Sequence, residues 1–445
     1  MSASTAGRAG TAPQSRSRTL VGVGAGNAME WFDWNVYATF AAFFASQFFA
    51  SGDAASDFLS ALAVFAVGFL ARPFGGFLFG WLADRRGRQL SMSISVGAAA
   101  VGSLVIGLTP TYATIGILAP IILVLARLAQ GLAHGGELPA AQTYISEMAP
   151  RERRGLWSSL IYVSGTIGIV AATVLGAVLA AVLTEAQMSS FGWRIPFLLG
   201  GVFGLYALYM RTRMRETPTY TEAASTAVAG PVARRPLWRE ILDHPVLLLR
   251  VLGLTMGATV LYYVWAVAAP AFAISNRGID PAGALWAGAA ANLVFLIALP
   301  LWGALSDRVG RKPVLLTSAG LLAVLLVPLN AFIQGEAWRL FLAMSVALLL
   351  LAAPASIGPA VYAEMFPTGI RAAGFGVPYS VAVALFGGTA PYLQAFFADR
   401  GASGVFTAYA ITLAAISVLV VVFMPETRGR HLGENRPAGA APRAH

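Results

Sequence analysis

Nine residues at positions 80–88 read GWLADRRGR, and nine at positions 303–311 read GALSDRVGR, so both follow the pattern Gly-x-x-x-Asp-Arg-x-Gly-Arg. A second pattern, Glu-Met-x-Pro-x-x-x-Arg, also occurs twice, at 147–154 and 364–371. Each pattern follows an apolar stretch, and its two copies are six apolar stretches apart. Two pairs of motifs in one register predict a duplicated chain whose halves face each other across a central cavity.

The composition places this chain in a membrane. Of its 445 residues, 57% are hydrophobic and 11% are charged, and the mean hydropathy is +0.70. This balance lies far outside that of soluble domains. Twelve stretches are long and apolar enough to cross roughly 30 Å of hydrocarbon. They are 20–48, 57–82, 90–110, 116–147, 157–183, 193–211, 246–275, 281–304, 313–334, 337–364, 374–398 and 402–424.

We therefore predict an all-α integral membrane protein with twelve transmembrane helices in two pseudo-symmetric six-helix bundles. The bundles occupy residues 20–210 and 246–424, and an Arg-containing linker at 211–245 joins them. Short tails at 1–19 and 425–445 complete the chain.

Most of the 30 Lys and Arg residues lie in the tails, the linker and the loops on one side of the predicted bundle. The positive-inside rule then places both termini in the cytoplasm. Only Lys312 among these residues is a lysine, an Arg bias that hints at a GC-rich bacterial genome, so we expect a bacterial inner membrane. The one-sided distribution of Lys and Arg also explains the net charge of +10 without a nucleic acid partner. With no cysteine and no metal-spaced histidine pair, we expect no metal or other cofactor. We also expect a monomer in the lipid bilayer.

Several short segments resemble those of one family. They are GNAMEWFD at 26–33, RPFGG at 72–76, RLAQG at 127–131, GGE at 135–137, GWRIP at 192–196 and FGGT at 386–389. Together with the doubled loop motif, they resemble the metabolite:proton symporters of the major facilitator superfamily. That group includes alpha-ketoglutarate, citrate and shikimate permeases and the proline/betaine transporter. The resemblance covers nearly the whole chain, and it implies this superfamily's fold and proton-coupled transport.

The first span carries a polar stripe. At 100° per residue, one face of the helix presents Asn27, Glu30, Asp33, Trp34 and Tyr37. Ionisable side chains inside a membrane are costly, so they usually serve a function. We interpret Glu30 and Asp33 as candidates for proton exchange and Tyr37 as a candidate for solute binding. The alternative is that the two acids lie near the headgroups and pair with Arg from a loop.

The fourth span carries a second polar face. It comprises Arg127, Gln130, His134, Glu137 and Tyr144, with Gly131 and Gly135 beside it to allow close helix approach. An Arg and a Glu on one apolar helix suggest a buried pair for which a proton or a carboxylate can compete. Glu137 and His134 are proton-coupling candidates, although His134 is equally well explained as a core histidine. Arg127, Gln130 and Tyr144 are candidates for solute binding.

Further solute-binding candidates lie in other spans. Arg72 can hold a carboxylate with two parallel hydrogen bonds, or it can pair with Asp33 or Glu30. The second half offers Tyr262, Asn292 and Tyr379. For these aromatic residues, ordinary helix packing or a belt at the membrane interface is the competing interpretation.

The doubled loop motif has a mechanical interpretation. Asp84 and Asp307 can each cap a helix N-terminus or pair with Arg of adjoining loops, which would link helix ends while one side of the protein is closed. The predicted gating residues are Gly80, Asp84, Arg85, Gly87, Arg88, Asp307, Arg308, Gly310 and Arg311. The alternative is that these motifs serve only as topology signals.

The leading hypothesis is a secondary active transporter that takes up a small organic anion, such as a di- or tricarboxylate, with protons by alternating access. One alternative is symport of a zwitterionic osmolyte such as proline or betaine, and another is a solute sensor that does not transport. We do not expect an enzyme, because no combination of nucleophile, base or metal ligands stands out.

Overall fold

A computed structural model describes residues 16–86, 88–135, 137–212, 242–367 and 370–432. Most of the predicted linker and parts of both tails lie outside these ranges. Every regular element within them is helical.

The first half contains six membrane-length helical spans. They are α1 Arg16–Phe48, α2 Ala54–Arg86, α3 Arg88–Leu108, α4 in two segments Leu118–His134 and Glu137–Met148, α5 Arg154–Val182 and α6 Arg194–Thr212. A short helix at Tyr112–Ile115 joins α3 to α4, and a turn of helix at Glu185–Gln187 lies between α5 and α6.

The second half repeats this plan. Its spans are α7 in two segments Pro245–Tyr262 and Ala269–Arg277, α8 Pro281–Val309, α9 Arg311–Phe332, α10 Ala337–Met365, α11 in two segments Arg371–Ala382 and Ala390–Asp399, and α12 Ser403–Phe423. A π-helical turn lies within α7 at Tyr263–Ala268 and another within α11 at Val383–Gly387.

The predicted twelve-helix fold is confirmed. Within the described ranges, nine helices are long and apolar enough to cross a membrane, and two shorter apolar helices at Ser93–Leu108 and Leu118–His134 belong to α3 and α4. The remaining span, α1, has 33 residues. Its length suffices for a membrane, and its polar stripe lowers its hydropathy.

The predicted span 116–147 corresponds to α4. The structure describes helix at Leu118–His134 and at Glu137–Met148, and Gly136 between them lies outside the described residues. Gly135, at the end of the first segment, packs its backbone directly against the carbonyl oxygen of Arg72 on α2.

Glycines set the spacing between α2 and α4. A Cβ on Gly131 would overlap the carbonyl oxygen of Gly68, and one on Gly75 would overlap that of Leu132. The two helices are therefore in contact through their main chains. This packing brings Arg72 of α2 and Arg127 of α4 to the same Trp34 ring.

The two halves meet along several helix pairs. Helix α5 packs against α8, the second segment of α7 packs against α1, and both segments of α11 pack against α2. We call the end of the bundle where α1 begins at Arg16 and α12 ends at Phe423 the terminal face. There Gly155 and Gly303 are in close contact, since a Cβ on Gly303 would lie 2.6 Å from the carbonyl oxygen of Gly155.

Candidate functional site

A buried hydrogen-bond chain links α1, α3 and α4. Gln130 donates from Nε2 to Asp33 Oδ2 at 2.7 Å and to Ser103 Oγ at 2.8 Å. The Ser103 hydroxyl in turn donates to Asp33 Oδ1. On the other side of the amide, Arg127 Nη1 donates to Gln130 Oε1 at 2.8 Å. Gln130 thus connects Asp33 to Arg127.

Arg127 is fully buried among aromatic rings. Its guanidinium carbon lies 4.0 Å from the centroid of the Trp34 ring and 4.3 Å from that of Tyr37. Within the described part of the chain, Nε and Nη2 have no hydrogen-bond acceptor. Cation–π contacts offset part of the cost of burying this charge, while these two nitrogen atoms keep unused donor capacity.

Arg72 lies against the same indole. Its guanidinium carbon is 4.1 Å from the Trp34 ring centroid and 4.2 Å from that of Phe69. Arg72 Nη2 lies 3.7 Å from Glu30 Oε1, and the guanidinium also interacts with the Tyr263 hydroxyl of the second half. Arg72 is therefore the charged residue that connects the polar site of the first half to the partner half.

Glu30 has a second neighbour in His134, whose Nδ1 lies 3.9 Å from Glu30 Oε1. Of the two interpretations of Arg72, the pairing with an acid is present in this structure, and the partner is Glu30 rather than Asp33. The acids Glu30 and Asp33 and the two arginines are all buried. Among the described contacts, the acids therefore lie next to arginines and a histidine of membrane-spanning helices.

An aromatic cavity lies where the two halves meet. Trp31 and Tyr162 contribute to it from the first half, and the second half supplies most of the remaining lining, including Tyr262, Tyr263 and Tyr379. The Tyr162 and Tyr379 hydroxyls are 3.2 Å apart. The buried Tyr262 hydroxyl has no hydrogen-bond partner among the described residues. The cavity therefore offers both aromatic faces and hydroxyl groups.

The other predicted residues have different surroundings. Tyr37 donates its hydroxyl to the Ala61 carbonyl at 2.9 Å, while its ring faces Arg127. Asn292 donates to the carbonyls of Ala266 and Gly288 at 3.1 and 3.0 Å. Tyr144 lies on the exposed surface of α4. The side chain of Glu137 lies outside the described part, so the predicted Arg127–Glu137 pair cannot be placed.

The second copy of the loop motif closes the terminal face. Asp307 accepts hydrogen bonds from the backbone N–H groups of Gly155 at 2.8 Å and Leu156 at 2.9 Å, and so caps α5 in the opposite half. Its Oδ1 also lies 2.8 Å from Arg311 Nη1. Gly310 has φ of +107°, a conformation that glycine adopts without strain. Each of these motif positions thus has a distinct structural role.

The Glu-Met-x-Pro motif supplies ion pairs across the same interface. Arg154 pairs with Glu364 at 2.8 Å, and Arg371 pairs with Glu147 at 2.6 Å. Each pair joins the arginine at the end of one motif copy to the glutamate at the start of the other copy, and therefore joins the two halves. In the first copy of the other motif, the side chains of Gly80, Asp84, Arg85, Gly87 and Arg88 lie outside the described part.

The segment after α12 crosses the terminal face. Glu426 accepts from the backbone N–H groups of Arg311 and Lys312 at 3.0 Å each, which caps α9. Farther along, Arg151 of the first half donates to the Gly429 carbonyl and lies 2.6 Å from His431 Nε2. Residues 425–432, predicted as a plain tail, therefore hold both halves together.

Partial burial raises the pKa of the Glu426 carboxyl, but hydrogen bonds from four backbone N–H groups outweigh this effect. The pKa of Glu426 consequently lies below its ordinary value.

The sequence did not single out three residues that the structure places at these sites: Ser103, Trp31 and Tyr162. Ser103 is a lone hydroxyl in an apolar span, which gives no periodic signal. Trp34 belonged to the polar stripe of α1, but its position between the two arginines depends on the close approach of α2 and α4.

The comparisons agree with this architecture. A model described as "Sugar (and other) transporter" matches residues 19–228, and one described as "Major Facilitator Superfamily" matches residues 254–443. An alpha-ketoglutarate permease of Escherichia coli strain K12 is 38% identical over 413 residues, covering 92% of this chain and 94% of the permease. The chain belongs to the major facilitator superfamily. The resemblance found in its sequence motifs is thereby confirmed.

Other superfamily members are similar over nearly the whole chain. A proline/betaine transporter of Salmonella typhimurium is 31% identical, covering 95% of this chain and 86% of that protein. Among solved structures, the xylose transporter XylE of E. coli in a partially occluded inward-open conformation aligns with a TM-score of 0.71 at 19% identity, covering 93% of this chain and 98% of XylE. That likeness supports the fold. The relatives are transporters, so this chain is a multi-pass membrane transporter of the same superfamily.

Proposed function

We propose that this protein carries a small organic anion, such as a di- or tricarboxylate, into the cell together with protons. The observation that carries this proposal is the buried Arg127, which has two unused N–H donors among the described contacts and is joined to Asp33 through Gln130. A guanidinium recognises carboxylate with strong, directional hydrogen bonds. An anion that reaches Arg127 would therefore also affect Asp33.

The charges of the site explain why protons would accompany the anion. Two arginines and two acids, Glu30 and Asp33, give the described cluster a formal charge of zero when both acids are ionised. A dianion would add negative charge in a region of low dielectric constant, at a high electrostatic cost. A proton taken up by Asp33 or Glu30 offsets that charge. Glu137 and His134 are further candidates for the proton.

The aromatic cavity is suited to the rest of the solute. Hydroxyls of Tyr262 and Tyr379 can donate to a second carboxylate, while Tyr263, which also lines the cavity, interacts with Arg72 behind it. The similarity to an alpha-ketoglutarate permease makes alpha-ketoglutarate the first solute to test.

Symport of a zwitterionic osmolyte is the second candidate. Trp31, Tyr262 and Tyr263 pack edge-to-face or stacked within 6.0 Å of one another. Such aromatic groups also suit a quaternary ammonium through cation–π attraction. The similarity to proline/betaine transporters favours testing glycine betaine beside alpha-ketoglutarate.

Alternating access would follow from the contacts at the terminal face. In this structure Asp307, Glu364 and Arg371 hold the two halves together there, so release of the solute on that side requires these contacts to break. The positive-inside rule favours a cytoplasmic terminal face in a bacterial inner membrane.

Transport by the purified protein in liposomes tests this proposal. Radiolabelled alpha-ketoglutarate should accumulate when the inside is made alkaline, and glycine betaine should not. Arg127→Gln should reduce the uptake rate at least tenfold, whereas Arg277→Gln, at an exposed position at the end of α7, should retain it. Accumulation that is independent of the pH gradient, or that prefers glycine betaine, would contradict the proposal.

The variant Asp33→Asn distinguishes proton coupling from solute binding. The amide keeps the shape of the carboxyl group but cannot cycle a proton, so pH-driven accumulation should be lost. Exchange of labelled for unlabelled solute at equal pH should continue, since it needs no net proton movement.

A further inference from the structure

A second cavity is lined by helices of the first six-helix bundle. Its polar lining comprises Glu30 and Asp33 of α1, Ser95 and Ser103 of α3 and His134 of α4. The remaining wall consists mainly of small residues, including Ala99 of α3 and Gly200, Gly204 and Ala207 of α6. Helix α6 thus leaves space opposite the acids.

The two cavities are separate in their described linings, because no residue lines both. Both acids of the site line the cavity in the bundle, whereas the aromatic cavity at the interface is lined by neither. The aromatic cavity, proposed for part of the solute, and the acids proposed for proton exchange therefore have different surroundings.

His134 indicates that the bundle cavity holds water. The side chain is 9% exposed, and its Nε2 has no hydrogen-bond partner among the described residues. Buried polar atoms in roomy polar cavities are normally satisfied by ordered water. His134 Nδ1 lies 3.9 Å from Glu30 Oε1. The imidazole ring would therefore lie between the Glu30 carboxylate and a water bonded to Nε2.

The cavity extends from the acids toward the terminal face. Gly26, which also lines it, precedes Asp33 by seven residues on α1, a distance of about 10 Å along a helix axis. On α6, Ala207 lies near the end of the helix at Thr212. The cavity thus spans the depth between the acids and the terminal part of the bundle.

We propose that this cavity is a hydrated path that exchanges protons between Asp33 and Glu30 and the terminal side of the membrane, separate from the path of the solute. The inference rests on the proposed proton coupling. A carboxyl group gives its proton to a cavity water and becomes a carboxylate, and the hydrated proton leaves along the bundle. The solute leaves between the two halves.

The groups that face this path define its pH response. Helix α1 contributes Glu30 and Asp33, and α4 contributes His134. Arg72 of α2 and Arg127 of α4 lie behind the acids, and α3 contributes only serine hydroxyls among its polar lining. The described lining from α6 has no titratable group.

The water content can be measured with single cysteines, because the sequence contains none. Ala99→Cys, in the cavity wall, should react with Ag⁺ from the aqueous phase at least tenfold faster than Ala347→Cys, which is fully buried on α10. Equal, slow reaction of the two thiols would show a dry cavity and overturn the inference.

Filling the cavity tests its role in transport. A Cβ on Gly200 would lie 3.5 Å from the Phe32 ring and 3.7 Å from Asp33 Oδ1, both ordinary contacts, so a larger side chain at this position would enter the cavity. Gly200→Leu should slow proton entry and pH-driven accumulation at least tenfold, while solute exchange at equal pH stays within twofold of the parent. Val202→Leu, on the exposed side of α6, is the control and should change neither.

Loss of solute exchange together with accumulation in a folded Gly200→Leu protein would overturn the inference, and so would unchanged proton entry. Failure of the proposed function gives a different result. The parent protein would then move no protons with any solute, while the Ag⁺ reaction of Ala99→Cys would still report whether the cavity is hydrated.

Discussion

Arg154 on α5 and Glu364 on α10 form a buried ion pair between the two halves, with Nη1 2.8 Å from Oε1. Glu364 also lies 3.3 Å from Arg311 Nη2 and accepts a hydrogen bond from Thr427 at 2.8 Å. One carboxylate therefore receives donors from both halves and from the segment after α12. The contacts of Glu364 therefore stabilise the closed terminal face.

Glu364→Gln should open the terminal face. Removing one charge of a buried ion pair costs about 3 kcal/mol or more, roughly a hundredfold in an equilibrium constant. The reaction rate of Ser158→Cys, buried on α5 at this interface, with a hydrophilic thiol reagent measures opening. Glu336→Gln removes an exposed acid that pairs with Arg339 and is the control. A thiol that remains protected in the Glu364→Gln protein would show that this pair is not essential for closure.

Gly303→Ala should prevent full closure of the same face. The new Cβ would lie 2.6 Å from the Gly155 carbonyl oxygen, so α5 and α8 must separate. Gly320→Ala is a matched control, because a Cβ there meets nothing within 4 Å. It should keep or slightly raise stability through helix propensity, by up to about 1 kcal/mol. Distances between spin labels on α5 and α8 would report the separation, and unchanged distances would argue against close glycine packing as the requirement.

Gln130→Leu should uncouple Arg127 from Asp33. Leucine keeps much of the volume but removes the amide that bonds to both groups, leaving buried polar atoms without that partner. We expect at least a tenfold loss of pH-driven uptake. Asn330→Leu removes another amide inside a span, one that bonds only to the Leu326 carbonyl of its own helix among the described contacts, and should leave uptake within twofold. Equal losses in the two variants would indicate a general effect on folding.

Acidification should weaken the contact made by Glu426. Its pKa is lower in the folded protein than in the unfolded chain, so its stabilising effect is present above the unfolded value and is lost as pH falls through the folded value. Glu426→Gln should therefore lower the melting temperature in detergent at pH 7, and the difference from the parent should shrink only as the pH falls below about 4.5 and on through the lower folded pKa. A difference that is constant over this range would mean that the charge of Glu426 contributes little.

Sequence reasoning predicted the parts of the fold that repeat. Asp307 and Glu364 belong to motifs whose second copies lie six spans away, and the twelve-helix fold follows from that register together with hydropathy. The stripes of α1 and α4 also identified Asp33, Gln130 and Arg127, because polar residues on one helix face are visible as a period.

Contacts between helices were less predictable. The bond from Ser103 to Asp33 joins α3 to α1, and no local pattern marks that serine. The main-chain contact between Gly135 and Arg72 joins α4 to α2, and only the packed structure supplies it. The role of residues 425–432 was also missed, because a short polar tail has no periodicity that indicates where it docks.

The glycine contacts between α2 and α4 have a consequence for solute selection. Where Gly68 meets Gly131 and Gly135 meets Arg72, main chain lies against main chain, and no flexible side chain between the helices can adjust their spacing. The guanidinium groups of Arg72 and Arg127 therefore start from backbone positions that are fixed relative to each other. If the proposed dicarboxylate contacts both guanidinium groups, this fixed backbone spacing would restrict the solute lengths that fit, and substitutions at the glycines should change the preferred chain length.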